Sequence, residues 1–262
     1  MSTTTPLDGK VALVTGSSRG IGAGIARELA RRGAAVVINY RSNSSTAQEL
    51  TDDITANGGK AISIQADVSN PHEIQTLFQE VQARLGQIDI VVSNSGVEHF
   101  GKLGEVTPEQ FDRVFSVNTR GQFFVAQAAS QHLSNNGRLI LTSSISAHVS
   151  LAEHAVYAGS KCAVEAFARC FAPELGPRGI TVNSVAPGGV KTDMAAEVGY
   201  KYIPGADASW TIDDIEAFVS ARTPMRRMGV PTDIAKVVAF LASEDAQWLS
   251  GQNITISGGA SA

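Results

Sequence analysis

Tyr157 and Lys161 stand four residues apart in Tyr157-Ala158-Gly159-Ser160-Lys161, and Ser144 lies thirteen residues before the tyrosine in a serine-rich run. Residues four apart on a helix share a face, so the lysine ammonium is expected one turn from the phenol. A free phenol titrates near about 10, and a nearby cation favours its ionised form, so the spacing predicts that Lys161 makes Tyr157 more acidic. Reduction of a carbonyl by hydride leaves negative charge on the substrate oxygen. It needs a donor aimed at that oxygen and a proton ready to transfer. Tyr157 fits the acid and Ser144 the orienting donor. A Tyr-x-x-x-Lys spacing also arises by chance on helices, so its meaning depends on the rest of the chain.

The chain opens with Val11-Ala12-Leu13-Val14 followed by Thr15-Gly16-Ser17-Ser18-Arg19-Gly20-Ile21-Gly22. A strand, a glycine loop and a helix in that order form a phosphate cradle. Glycines let the backbone approach a pyrophosphate, which the amides and the positive end of the helix stabilise. The spacing is G-x-x-x-G-x-G rather than the G-x-G-x-x-G of the standard dinucleotide fingerprint.

Further β-branched runs occur at Ala35 to Ile38, Ala61 to Ile64, Ile88 to Val92, Leu139 to Thr142, Ile180 to Val185 and Ile254 to Ile256, with longer helix-compatible stretches between. Nearly continuous apolar strands alternating with helices predict a doubly wound α/β fold, a parallel sheet covered on both faces. Ligands bind such sheets beyond the carboxyl ends of the strands. Gly16, Asn39, Asp67, Asn94, Ser144 and Pro187 each end an apolar run and are therefore expected along one rim. With 262 residues, 43% hydrophobic content and no linker, charge block or repeat, residues 1–262 are read as a single domain.

A net charge of -4 and a pI near 5.7 supply no electropositive field for nucleic acid or an anionic membrane. Met1-Ser2-Thr3-Thr4-Thr5-Pro6 lacks a basic-then-apolar leader, and no apolar run approaches the roughly 20 residues of a membrane helix, so a soluble cytoplasmic protein is expected. Cys162 and Cys170 would lie about 12 Å apart along one helix, too far for a disulfide. They are read as reduced thiols, Cys162 as a small buried packing residue. No metal site is expected.

The glycine spacing, Asn94-Ser95-Gly96, Asn118, Ser144, Tyr157, Lys161 and Pro187-Gly188 together resemble the short-chain dehydrogenase/reductase family across essentially the whole chain. Val92 to Val97, Phe115 to Phe123, Ala186-Pro187-Gly188-Gly189 and Tyr202-Ile203-Pro204 are similar to the fungal polyhydroxynaphthalene reductases and their anthrol and versicolorin reductase relatives. The resemblance implies a Rossmann-type seven-stranded parallel sheet with helices on both faces and a substrate lid over about 189–222. It implies a homotetramer acting on a small-molecule ketone or alcohol. The catalytic set it implies is Asn118, Ser144, Tyr157 and Lys161, with Lys161 also holding the nicotinamide ribose and Asn118 positioning a water for proton return. The thirteen-residue offset matches the family for Ser144, and neighbours on a strand face opposite ways, so Ser143 is expected to point elsewhere.

Cofactor contacts are expected from Gly16, Ser18, Arg19, Gly20, Ile21 and Gly22 in the loop, and from Asn39, Tyr40, Arg41 and Ser42 after the second strand. Asp67 and Val68 match the adenine-contacting pair, and Asp67 also suits an N-cap for a helix beginning at Ser69. Asn94, Ser95, Gly96, Tyr157, Lys161, Pro187, Gly188, Val190 and Thr192 complete the set, Thr192 at the family position that bonds the carboxamide. The second strand ends Ile38-Asn39-Tyr40-Arg41-Ser42, with no acid for ribose hydroxyls. Arg19 and Arg41 suit a 2′-phosphate, so NADP(H) is expected. Substrate contacts are expected from Ser144, Ile145, Tyr157, Gly189, Met194, Tyr202 and Trp210, with about half of the lid's apolar residues serving only to pack it.

The leading expectation is NADPH-dependent reduction of a polyhydroxylated aromatic or polyketide-derived ketone in fungal-type secondary metabolism. Alternatives are a secondary-alcohol dehydrogenase for steroid, sugar or 3-oxoacyl substrates, a nucleotide-sensing regulator, and a fold repurposed for non-redox chemistry. An intact Ser144, Tyr157 and Lys161 argue against the regulator. His148 and His154 suggest a Ser/His hydrolase, but no G-x-S-x-G elbow accompanies them, and both are read as rim or substrate-loop histidines. Two departures from the naphthol reductases stand out: Glu98-His99-Phe100 where small or apolar residues are usual, and Ser257-Gly258-Gly259 in place of Asp-Gly-Gly.

Overall fold

Seven runs rich in β-branched and other apolar residues pair in parallel into one sheet of order β3-β2-β1-β4-β5-β6-β7. The strands are β1 (Val11–Val14), β2 (Ala35–Tyr40), β3 (Lys60–Gln65), β4 (Ile88–Ser93), β5 (Leu133–Thr142), β6 (Thr181–Pro187) and β7 (Asn253–Ile256). This computed structural model describes residues 6–260; residues 1–5 of the segment read for a leader, and residues 261–262, lie outside the described residues. Every residue of β1 and β6 is buried, because helices cover both faces and leave no strand side to water.

The helices are α1 (Gly20–Arg31), α2 (Ser44–Ala56), α3 (Pro71–Leu85), α4 (Pro108–Phe115), α5 (Gln122–His132), α6 (Ala155–Leu175), α7 (Asp193–Val198), α8 (Ile212–Arg222) and α9 (Pro231–Leu241). Their starts follow from local chemistry. Thr107 and Gln110 form a reciprocal capping box ahead of α4, with Pro108 at the first turn, and Thr211 and Asp214 do the same for α8. Helices α1, α2 and α9 bury Ile25, Leu29, Leu50, Ile54, Ile234 and Val238 against one sheet face. Helices α3, α5 and α6 bury Ile74, Phe78, Val81, Val125 and Val164 against the other. Each such side chain, fully buried, contributes about 1.5–3 kcal/mol.

Two boundaries and the setting of the cysteines differ most from the sequence reading. Strand β5 begins at Leu133 rather than Leu139, although Ser134-Asn135-Asn136-Gly137 reads as a turn. Asn136 does adopt a left-handed φ of 61°, and the β4 to β5 register shifts there, so one strand carries a turn-like irregularity. Helix α3 starts at Pro71 with Asn70 as its cap, not Asp67. The Asp67 carboxylate instead accepts from the Ser69 amide in a tight turn. Cys162 is exposed rather than buried, its thiol donating to the Ala147 carbonyl at 3.3 Å, and Cys170 is exposed as well.

The segment from Gly189 to Arg222, expected as a lid, packs with Met228 into a small core in which Ile203, Ile215 and Met228 are buried and Tyr200, Trp210, Phe218 and Val219 partly so. Trp210 packs edge-on against Phe218 with ring centroids 6.1 Å apart.

Candidate active site

The carboxyl ends of the strands open into a cavity of about 710 Å³. At one end lies the glycine loop. Gly16 and Gly20 have φ of +58° and +59°, conformations that side chains resist. A Cβ on Gly22 would fall 2.6 Å from the Gly16 carbonyl and 2.7 Å from the Ser17 Cα, so no side chain fits there. The loop is held from behind. Asn94 donates from Nδ2 to the Thr15 and Gly16 carbonyls, and the Thr15 hydroxyl accepts from the Asn94 and Ser95 amides. Asn39 accepts from the Gly16 amide and spends its own amide on the Ile64 and Ala66 carbonyls. It therefore shapes the loop and has no donor left for a ribose.

All the expected cofactor residues line this one cavity: Gly16, Ser18 to Gly22, Asn39 to Ser42, Asp67, Val68, Asn94 to Gly96, Tyr157, Lys161, Pro187, Gly188, Val190 and Thr192. Their shared rim follows from parallel strands presenting every carboxyl end at the same edge. The cradle fits a dinucleotide pyrophosphate: a Cβ on Gly20 would have no neighbour nearer than Thr192 at 3.6 Å, so the loop is open there, and the N-terminus of α1 begins at that residue. Arg41 is exposed at the cavity edge. Arg19 lines the cavity too, and its exposed guanidinium lies 3.7 Å from Asp193 and 3.6 Å from Glu197 on α7.

Helix α6 brings Tyr157 and Lys161 together as their spacing requires. Both are buried, with the ammonium 5.6 Å from the phenol ring centroid and donating to the Thr142 carbonyl at 2.9 Å. Ser144 follows β5 and lines the cavity with Tyr157, its hydroxyl accepting from the Ser146 amide at 3.1 Å. The Ser143 hydroxyl turns away to the Glu165 carboxylate at 2.8 Å and the Lys161 carbonyl, as strand alternation predicts. Asn118 does not line the cavity. It sits fully buried in a π-turn (Ser116–Gly121) between α4 and α5, with Oδ1 accepting from the Val97 amide and Nδ2 donating to the Val97 carbonyl and the Ser160 hydroxyl. Such turns widen a helix and reorient one side chain.

Proton affinities depart from the simple lysine argument. Burial pushes the Tyr157 phenol well above its ordinary value, and the negative charge of Glu98 adds to this, while the Ser144 hydrogen bond opposes it. Burial lowers the Lys161 ammonium to about 8, with Glu98 pulling the other way. The lysine cation is thus not the dominant influence on the phenol; desolvation and a carboxylate are.

At the substrate end, Ser144, Ile145, Tyr157, Gly189, Met194 and Tyr202 line the cavity, as does Ile203. Trp210 does not: it belongs to the lid's own core, because its ring finds apolar partners there before reaching the cavity. Val149, Val198, Phe218, Val219 and Met228 also line it and were not singled out from the sequence. Apolar residues in an irregular lid carry no period that marks which way they face.

Within the departure at Glu98-His99-Phe100, Glu98 is part of the cavity wall. Glu98 accepts a 2.6 Å hydrogen bond from the Tyr202 hydroxyl and a 3.0 Å bond from the His99 amide. Phe100 packs edge-on against Tyr202 and stacks obliquely on His154. His154 is not on a rim: it is 1% exposed, held down to about 4 chiefly by burial, and neutral. His148 is half-exposed and pairs with Glu165 at 2.9 Å. No cluster of three metal-ligating side chains occurs among the described residues, and no described helix is long and apolar enough to cross a membrane.

Comparison with known proteins agrees with this geometry. The family model described as "Enoyl-(Acyl carrier protein) reductase" matches residues 16–261. The chain is 53% identical over 247 residues to "Hydroxynaphthalene reductase arp2" of Aspergillus fumigatus, covering 94% of this chain and 90% of that protein. It is 52% identical to "Elsinochrome reductase 1" of Elsinoe fawcettii, covering 98% and 96%. Among solved structures, a short-chain dehydrogenase from Burkholderia cenocepacia in complex with NADP superposes with a TM-score of 0.87 at 38% identity, covering 98% of this chain and all of that one. The angucycline C-6 ketoreductase LanV with bound NADP gives 0.87 at 38% identity, covering 98% and 97%. The cavity, its glycine cradle and these likenesses lead to one conclusion: the chain belongs to the short-chain dehydrogenase/reductase family and is a nicotinamide-dependent oxidoreductase.

Proposed function

We propose that this enzyme uses NADPH to reduce a ring carbonyl of a polyhydroxylated aromatic or polyketide-derived substrate. The observation that carries the reading is a single cavity in which Ser144, Tyr157 and Lys161 meet an aromatic wall of Tyr202 and Phe218. Such a wall favours flat rings by about 0.5–1.5 kcal/mol per aromatic pair beyond area burial. The naphthalene and elsinochrome reductases among its relatives support the substrate class, and the NADP-bound neighbours support the cofactor. The test is NADPH oxidation with hydroxylated aromatic ketones against sugars and aliphatic ketones of similar size; faster turnover of sugars would rule it out. The enzyme is proposed to be cytoplasmic and homotetrameric, with Phe111, Phe123 and Trp248 as large exposed apolar side chains available for subunit contact.

The nicotinamide supplies the hydride. Ser144 holds the carbonyl oxygen by a hydrogen bond and Tyr157 donates the proton as negative charge develops there. Lys161, fixed to the Thr142 carbonyl, keeps a positive charge one turn from the phenol and offers remaining protons to a ribose. Asn118 holds the backbone of Val97, a residue of the cavity lining, while its proposed water link to Lys161 rests on the resemblance.

Two expectations follow. First, Arg41 faces the cavity without an acidic side chain after β2, so Arg19→Ala/Arg41→Ala weakens NADPH binding while leaving NADH nearly unchanged, because charge-assisted pairs act only where the 2′-phosphate exists. Since Arg19 is already paired with Asp193 and Glu197, Arg41→Ala alone accounts for most of the loss; fluorescence titration with both cofactors checks this. Second, Glu98 raises the proton affinity of both Tyr157 and Lys161. Removing its charge in Glu98→Gln lowers both, and the basic limb of the pH profile of kcat/KM moves to lower pH. An unmoved limb would show that the carboxylate does not act on the proton-transfer pair.

A further inference from the structure

Glu98 carries a carboxyl group in an unusual place. Its side chain is 8% exposed, it lines the cavity beside Tyr157 and Tyr202, and among the described residues no lysine or arginine lies within 4.0 Å of its carboxylate oxygens, Arg113 reaching only its backbone carbonyl. A buried charge without a cationic partner is costly unless donors surround it. The groups facing it are Tyr202, His154, Lys161, Tyr157 and the His99 amide. Lys161 acts on it from a distance while its ammonium bonds the Thr142 carbonyl. His154 is neutral, and its Nδ1 faces the His99 carbonyl at 3.2 Å, which places the proton on Nδ1. Its Nε2, 3.7 Å from the carboxylate, then presents a lone pair to it and donates nothing.

Two donors remain, the Tyr202 hydroxyl on Oε2 and the His99 amide on Oε1. An ionised carboxylate has about four lone-pair sites, so roughly two stay open on a group that walls a mostly apolar cavity. Burial raises its proton affinity, the direction expected of a carboxyl short of donors. Few polar groups in such a pocket decide which ligand substituents are accepted.

We propose that Glu98 is a specificity-determining residue that accepts a hydrogen bond from a hydroxyl of the substrate other than the reacting oxygen, with Tyr202 holding the carboxylate in place. This rests on the reading of the cavity as a ketone-reducing site and adds what that site selects. A neutral hydroxyl donor satisfies an open lone pair. An anionic substituent is repelled, and a hydrogen in its place leaves the carboxylate dry and unpaired. Sites built around a hydrogen bond reject analogues lacking the donor more strongly than apolar pockets reject a missing methylene.

The experiment compares kcat/KM for tetralone and its ring-hydroxylated isomers in the wild type, Glu98→Gln and Tyr202→Phe, with melting temperatures recorded for all three. Any effect of Glu98 through Tyr157 changes both ketones alike and cancels in the ratio of hydroxylated to plain substrate. The wild type is expected to favour at least one hydroxylated isomer by about 10- to 100-fold, the scale of a charge-assisted hydrogen bond. Glu98→Gln, which keeps size but loses charge, brings that ratio toward one mainly through KM, while Tyr202→Phe keeps it within about threefold. A wild-type ratio near one for every isomer, equal losses on both ketones in Glu98→Gln, or collapse in Tyr202→Phe alone overturns the proposal. If no tetralone is reduced, the aromatic reading fails separately, and the same ratio is then read on hydroxycyclohexanone against cyclohexanone with the same criteria.

Discussion

Tyr157→Phe is expected to lower kcat by about 100-fold or more while leaving NADPH affinity within about twofold. General acid catalysis by a positioned side chain contributes on this scale, and the phenol is the group for which the proposed mechanism has no substitute. His154 lies beside it with ring centroids 4.8 Å apart, but its Nδ1 proton is committed to the His99 carbonyl and its affinity for a second is lowered to about 4. Near neutral pH it has no proton to lend. Lys161 donates to the Thr142 carbonyl and sits beside the ring rather than across from it. The substitution removes one oxygen from a buried residue and leaves its ring packing intact, so the melting temperature is expected to change little. Stopped-flow measurement of NADPH oxidation and fluorescence titration of cofactor separate the two effects. Near-normal turnover would remove Tyr157 from the chemistry.

Gly22→Ala is expected to be the most damaging single-methyl change in the cofactor end. The added Cβ would meet the Asn94 amide nitrogen and the Gly16 carbonyl, each at 2.6 Å, and the Ser17 Cα at 2.7 Å. Two of these are backbone atoms of the loop itself. They cannot swing aside as the end of a long side chain would, so the loop must deform. The deformation breaks the Asn94 bonds to the Thr15 and Gly16 carbonyls that hold the cradle's shape. Overpacking of this kind costs about 1–3 kcal/mol of stability, and cofactor affinity falls at least tenfold because the amides no longer converge on the pyrophosphate. By contrast, a Cβ on Gly176 meets nothing within 4 Å, so Gly176→Ala is the control. Thermal melts with and without NADPH check both outcomes: the ligand-induced rise in melting temperature shrinks in Gly22→Ala and persists in Gly176→Ala.

Much of the architecture was written locally. Continuous β-branched runs between amphipathic stretches specify buried parallel strands, since only a sheet covered on both faces accommodates them. Once that is granted, the ends of the runs must share a rim. Gly16, Asn39, Asp67, Asn94, Ser144 and Pro187 do line one cavity. The four-residue spacing of Tyr157 and Lys161 needed only a helix to become a contact, and α6 supplies it. Alternation implied that only one of Ser143 and Ser144 faces the site, and the offset to Tyr157 picked Ser144.

What the tertiary structure decided is where charge and polarity balance across distant segments. Glu98, His154 and Tyr202 are up to 104 residues apart, and no periodicity predicts that the tyrosine hydroxyl will close on the carboxylate. The proton affinity of Tyr157 depends on desolvation and on Glu98, quantities set by what surrounds the phenol rather than by Lys161 at fixed spacing. Asn39 carries a side chain suited to a ribose, yet packing commits it to the Gly16 amide and two carbonyls. Trp210 is as aromatic as Tyr202, but it packs against Phe218, partly buried, instead of lining the cavity. Backbone preference and hydrophobic pattern act over a few residues and can be read along the chain; burial, long-range pairing and lid packing are properties of the folded whole.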